Sequence, residues 1–155
     1  MALSLREQIM AHWVTTLEGI SMANGYLTDL GKVERFRLKS MDQAENIIVE
    51  VRQGVDRNDL SGTLGVEGRV LTIHTVIKVR HDPEAEAEAT ETLLNQIEQD
   101  IHKAVNVDRT RGSKALNTEF QSSDAAELDE AGGRAAKELQ YSVLYRHTWG
   151  DMTSG

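Results

Sequence analysis

The chain contains no cysteine. That excludes disulfides, thiolate nucleophiles and cysteine-ligated zinc together, so packing has to supply the stability. It has a single proline, Pro83, and no apolar run approaching the ~18 residues of a membrane-crossing helix. The opening Met1-Ala2-Leu3-Ser4-Leu5-Arg6-Glu7 lacks an apolar signal-like core, which points to a protein made and kept in a cytoplasm, with no membrane partner. Aromatic residues make up only 5% of the chain. The core must therefore rest on Leu, Ile, Val and Ala, and Trp13 and Trp149 become candidates for special packing or interface roles. Positive charge is scarce as well: the formal net charge is −8 and no Lys/Arg block interrupts it, which disfavours nucleic-acid specificity.

What is present reads as one domain, residues 1–155, with 39% hydrophobic and 27% charged residues. A chain of this length buries roughly two thirds of its unfolded surface, enough for one core. Leu5, Ile9, Trp13, Leu17 and Ile20 recur at helical steps and predict a helix over 4–21, opened by a Ser4/Glu7 capping box. Asn24, Gly25 and Gly31 mark a turn-rich connection. Three strand-like segments follow: KVERFRL, NIIVEV and RVLTIHTVIKVRH. In the third, Leu71, Ile73, Ile77 and Val79 share one face and Thr72, His74, Lys78 and Arg80 the other. Gly54, Gly62, Gly65 and Gly68 between the second and third predict a hairpin with a mobile loop over about 54–68, a candidate contact arm.

Asp82 and Pro83 suit a helix start, and Leu93, Leu94, Ile97, Ile101 and Val105 give the buried stripe of a helix over about 83–105. Its early glutamates complement the positive end of the dipole. Residues 106–133 show no sustained period and predict a second long mobile loop, interrupted by a short strand around Asn117–Gln121. Basic residues open that stretch (Arg109, Arg111, Lys114) and acidic ones close it (Asp124, Glu127, Asp129), a pattern suited to contacts between copies of the chain. In the closing YSVLYRHTWGDM, Tyr141, Val143, Tyr145 and His147 alternate with Ser142, Leu144, Arg146 and Thr148. This period of two predicts a final strand rather than a catalytic cluster, with Trp149 and Asp151 beyond it free to reach a neighbour. The expected fold is α+β: two helices packed on a mostly antiparallel sheet of about four strands.

Catalytic signatures are missing. No G-x-S-x-G or H-E-x-x-H occurs, the five histidines are scattered, and GTLGVEG lacks both the Walker lysine and dinucleotide-binding spacing. No metal, cofactor or enzymatic activity is expected.

Three segments in order carry a resemblance: Gly25-Tyr26 with Gly31, Val33 and Arg35; Asp100-Ile101 with Lys103-Ala104-Val105; and the closing Tyr141 to Asp151 strand. With them the chain resembles the tail terminator, or tail-completion (minor tail), proteins of long-tailed bacteriophages over nearly its whole length. The resemblance implies a structural virion protein at the head-proximal end of the tail, assembled in the host cytoplasm. Its subunits would form a ring, commonly a hexamer, that caps the tail tube, ends polymerisation and offers a surface for head-tail joining. The implied partners are further copies of itself, the tail tube protein and a neck or head-completion protein. Arg109, Arg111, Lys114, Asp124, Glu127, Asp129, Trp149 and Asp151 are the expected interface residues. The alternatives are a neck or head-completion (head-tail connector) protein and, from a different class, a small soluble enzyme or ligand-binding domain.

Overall fold

The computed structural model describes residues 3–36, 45–59, 65–82, 87–129, 133–148 and 150. Helix α1, Leu5–Glu18, starts at Ser4, whose Oγ accepts a hydrogen bond from the Glu7 amide at 3.2 Å. The Glu7 carboxylate does not close the capping box. It pairs instead with Arg35 at the end of strand β1, Lys32–Arg35, and so ties the start of the helix to the edge of the sheet. Strands β2, Ile47–Asp59, and β3, Val66–Arg80, form a long hairpin. Helix α2 spans Ala87–Val107; the predicted Pro83 start lies outside the described residues. Strands β4, Asn117–Ser123, β5, Glu127–Asp129, and β6, Arg134–Thr148, complete the chain.

These strands build one six-stranded sheet in the order β1-β2-β3-β6-β4, with β5 also paired to β6. The expected four-stranded sheet is thus overturned, and the sheet is mixed, because β1 runs parallel to β2 with Val33 opposite Val49. Alternation in a sequence identifies a strand and its faces but carries no direction, so the parallel pair was not legible. Both predicted loops are shorter than expected among the described residues, and the short strand expected around Asn117–Gln121 is present. Residues 54–59 belong to β2 and 66–68 to β3, with Asp59 opposite Gly68, and 106–133 holds the end of α2 and the strands β4 and β5.

Both helices cover one face of the sheet. Leu71, Ile73, Ile77 and Val79 of β3 and Leu139, Tyr141, Val143 and Tyr145 of β6 point into that core, as the alternation predicts. At its centre Trp13 is fully buried, donates from Nε1 to Thr75 Oγ1 at 3.1 Å and meets the Tyr141 ring edge-on at 4.9 Å. Thr75 sits on an otherwise apolar strand face because the indole N–H needs an acceptor there. The segment between α1 and β1 is pinned by Asp100 of α2, which accepts from the amides of Leu27 (3.0 Å) and Thr28 (2.8 Å) and from Thr28 Oγ1 (2.6 Å). Lys103 donates to the Gly25 carbonyl at 2.8 Å and lies over the Tyr26 ring. Two of the three segments that carry the resemblance therefore form a single contact. Gly31 closes the segment where its backbone passes β2: a Cβ there would stand 2.8 Å from the Ile47 carbonyl oxygen.

Candidate assembly surface

A sheet exposes backbone donors and acceptors only at its edges, and a subunit that builds a closed ring needs two different patches. Among the described residues this sheet ends in two unlike edges. On one side β1 covers only the first part of β2, through the Arg35–Val51 pair. From Arg52 to Asp59 strand β2 has β3 on one flank and no described strand on the other. Arg52, Gln53, Val55, Arg57 and Asn58 are exposed along it, Val55 by 68%. Phe36, 69% exposed and at φ +45°, sits at the point where β1 stops, its amide bonded to the Val51 carbonyl. On the other side β4 is the outer strand, with Glu119, Phe120, Gln121 and Ser122 exposed.

The part of β2 beyond Val51 is anchored from within. A bulge between Gln53 and Asp56 turns Asp56 to the helix-covered face, where only 4% of its side chain is exposed. There it accepts from Arg69 Nε (3.0 Å), Arg6 Nη1 (3.2 Å) and Tyr145 Oη (2.7 Å). Burial, the largest single effect, would lower the Arg69 guanidinium, but the hydrogen bond and charge of Asp56 together with Tyr145 and Glu67 raise it; burial and the same carboxylate push the Tyr145 phenol up. Gly54 occupies the bulge because a Cβ would lie 2.6 Å from His74 Nε2.

The helix-free face of the sheet is built from paired charges. Glu50 is fully buried between Arg52 and Lys78, the lysine at 3.1 Å, and His74 Nδ1 lies 2.5 Å from Glu138 Oε1. Desolvation would raise the Glu50 carboxyl, and hydrogen bonds from Arg52 and Lys78 bring it below its usual range instead. This face is largely self-neutralised.

The predicted interface residues divide between edge and interior. Arg109 is exposed and bridges to β4, donating from Nε to the Thr118 carbonyl (3.1 Å) while Thr118 Oγ1 donates to the Arg109 carbonyl (2.8 Å). Lys114 is exposed in the turn that follows. Asp124 and Glu127 are exposed further along the same side of β6, and Asp129 stands opposite Arg134 at the end of β5. The basic and acidic residues thus lie along one sheet edge. Arg111 does not join them: it is fully buried, at φ +51°, donating to the carbonyls of Val105 and Asp108 and lying over the Trp13 ring at 5.2 Å. A guanidinium at the negative end of α2 satisfies carbonyls that have no partner within the helix. Arg111 is a core residue in this fold and no surface contact. Trp149 and Asp151 lie outside the described residues.

The histidines occupy separate settings. His81 Nδ1 is 2.7 Å from Thr90 Oγ1, His102 Nδ1 is 2.5 Å from Tyr141 Oη, and His147 Nε2 lies 3.2 Å from Glu67. Among the described residues no three His, Asp or Glu side chains gather as metal ligands. A groove of about 320 Å³ runs between α2 and β5, lined mainly by Ala87, Leu94, Ala126, Leu128 and Ala135, with Lys137 at its side.

The residues that sequence reasoning missed are Arg52, Gln53, Val55 and Arg57. The glycines beside them read as a loop, whereas the polar-apolar VRQGVDRND run was the available sign that β2 continues.

No protein-family model matches the chain, and no curated protein matches it. Among solved structures it is similar to a chain in the virion of a native gene transfer agent (GTA) particle, with a TM-score of 0.46 and 13% identity over 94% of this chain and 96% of that one.

Proposed function

We propose that this chain is a structural virion protein whose copies close into a ring on the phage tail tube, ending tube growth and presenting a surface for head-tail joining. The observation that carries this reading is the pair of unlike edges in which, among the described residues, one sheet ends on opposite sides. Such edges favour head-to-tail contacts, which close into a ring when the rotation between copies allows it. The protein acts by occupancy, without catalysis: its role is to cover the last tube subunits and stop addition. Six copies is the ring order that the sequence resemblance implies.

The experiment is a tail-length assay. In a preparation lacking this protein, tubes overgrow and fail to join heads, and adding the purified protein restores a defined length. Tubes of normal length in its absence refute termination. If those tubes also fail to join heads, the protein belongs at the neck instead.

A further inference from the structure

We propose that Asn24 is a site of spontaneous covalent modification, converting through a cyclic imide to aspartate and isoaspartate, and that Asp100 and Lys103 of α2 set its rate. This stands on the fold alone and is independent of the ring reading. The chain has six asparagines, at 24, 46, 58, 95, 106 and 117, and only Asn24 is followed by glycine. Glycine matters here for two reasons. With no Cβ it leaves its own amide nitrogen open to the asparagine side chain, and it tolerates the φ of +87° at which Gly25 ends the short helix Met22–Asn24. Both residues are exposed, so water reaches them.

The step balances with water alone. The Gly25 nitrogen gives its proton to solvent and bonds to Asn24 Cγ; the Cγ–Nδ2 bond breaks and the side-chain nitrogen departs as ammonia. Water then opens the imide at either carbonyl. Cleavage at Cγ restores the original main chain as aspartate, whereas cleavage at the Asn24 backbone carbonyl carbon routes the main chain through Cγ, one atom longer, as isoaspartate. No electrons are exchanged.

In the folded chain both reacting groups are engaged elsewhere. Asn24 Nδ2 donates to the Gly19 carbonyl at 2.8 Å, and the Gly25 amide donates to the Met22 carbonyl at 3.1 Å. Attack therefore requires the turn to open. Its base is closed by the Leu30 amide on the Ile20 carbonyl at 3.3 Å. Its far side is tied to α2, through Lys103 on the Gly25 carbonyl and Asp100 on the amides of Leu27 and Thr28. The reaction runs only from the released segment, so its rate is the intrinsic rate multiplied by the fraction of time the segment is open. The product does not re-form the turn. A carboxylate only accepts, so the new side chain meets the Gly19 carbonyl with no donor, and the extra main-chain atom of isoaspartate shifts Gly25 relative to Lys103.

The test is peptide mapping by mass spectrometry after warm incubation in mildly alkaline buffer, reading the small mass gain of amide-to-acid conversion and the separate isoaspartyl peptide. Four samples are compared: the native chain, the same chain unfolded in urea, Asp100→Ala and Lys103→Ala. In urea Asn24 should convert well ahead of the other five asparagines. The native chain should be slower than the unfolded one by about tenfold or more, and each variant should recover a several-fold part of that difference. Should Asp100→Ala fail to fold, Lys103→Ala decides, since it removes one hydrogen bond made by an exposed residue. No preference for Asn24 in the unfolded chain overturns the site. Equal rates in the native and unfolded chains, or no acceleration in a folded variant, overturn the control by α2.

Discussion

Asp100 gives the sharpest test of how the fold is held. Its carboxylate is 1% exposed and takes three hydrogen bonds from the 27–28 segment, with no described cation bonded to it. Asp100→Ala removes all three. Leu27 is exposed, so its amide regains water, but Thr28 is buried, and its amide and hydroxyl are stranded. Each stranded buried group costs about 1–3 kcal/mol, part of which local relaxation recovers, so the loss should be about 3 kcal/mol. For a domain of this size that corresponds to a melting temperature lower by roughly 6–12 °C. Asp100→Asn keeps one carbonyl oxygen but turns an amide N–H₂ toward the remaining donors, and should lose roughly half to all of that amount. The assay is thermal unfolding with hydrogen exchange at the Leu27 and Thr28 amides. Protection at both amides should fall in Asp100→Ala while the β3 and β6 amides remain the slowest to exchange. A loss below about 1 kcal/mol with unchanged protection at Thr28 would refute the argument that this carboxylate holds the segment.

Three further outcomes follow from other contacts. Trp13→Phe removes the indole donor to Thr75 and leaves a smaller ring under Arg111, and should cost about 2–3 kcal/mol by urea unfolding; Trp13→Phe with Thr75→Val should recover part of it, since the hydroxyl is no longer stranded. Gly31→Ala drives a Cβ to 2.8 Å from the Ile47 carbonyl, so it should destabilise by about 1–3 kcal/mol and speed exchange in β1 before the β2–β3 hairpin. Asp108 is held at about 2, against an ordinary 3.8, by hydrogen bonds from Thr110 and Gly112. Its folded value is depressed, so its contribution is complete above pH ~4 and lost as pH falls toward ~2. Solvent screening keeps that contribution small. Asp108→Asn should flatten the acid limb of stability below pH ~4, and an NMR titration of the Asp108 carboxyl with a midpoint near 4 would refute the assignment.

The faces of this fold were readable and its edges were not. Alternation placed Leu71, Ile73, Ile77, Val79, Tyr141, Val143 and Tyr145 in the core because burial on one side of a pleat imposes a period of two. Helical spacing located α1 and α2 for the corresponding reason. Backbone pairing leaves no such imprint, which is why the parallel sense of β1 and the strand β5 went unseen, while the short strand expected around Asn117–Gln121 is present as β4. Arg111 was misplaced by composition: a cation in a polar, aperiodic stretch reads as surface, and only the fold shows Trp13 and the end of α2 closing over it. For the candidate site, the charges of 109–127 were noticed but not their alignment along one edge. That alignment comes from the pairing of β4 and β5 to one long β6, a contact distant in sequence.

The bulge in β2 ties the far end of the long hairpin to the interior. A bare strand end normally frays, because its outer hydrogen bonds go to water and its side chains pack on nothing. Here the strand instead gains an interior anchor. The bulge turns Asp56 inward to Arg69, Arg6 and Tyr145, contributed by β3, α1 and β6. Ordering entropy is thereby met when the subunit folds rather than when two copies meet. The same device limits self-association by a two-fold axis. The bulge makes this stretch of β2 irregular, and two such stretches face to face would not pair in an ordinary ladder.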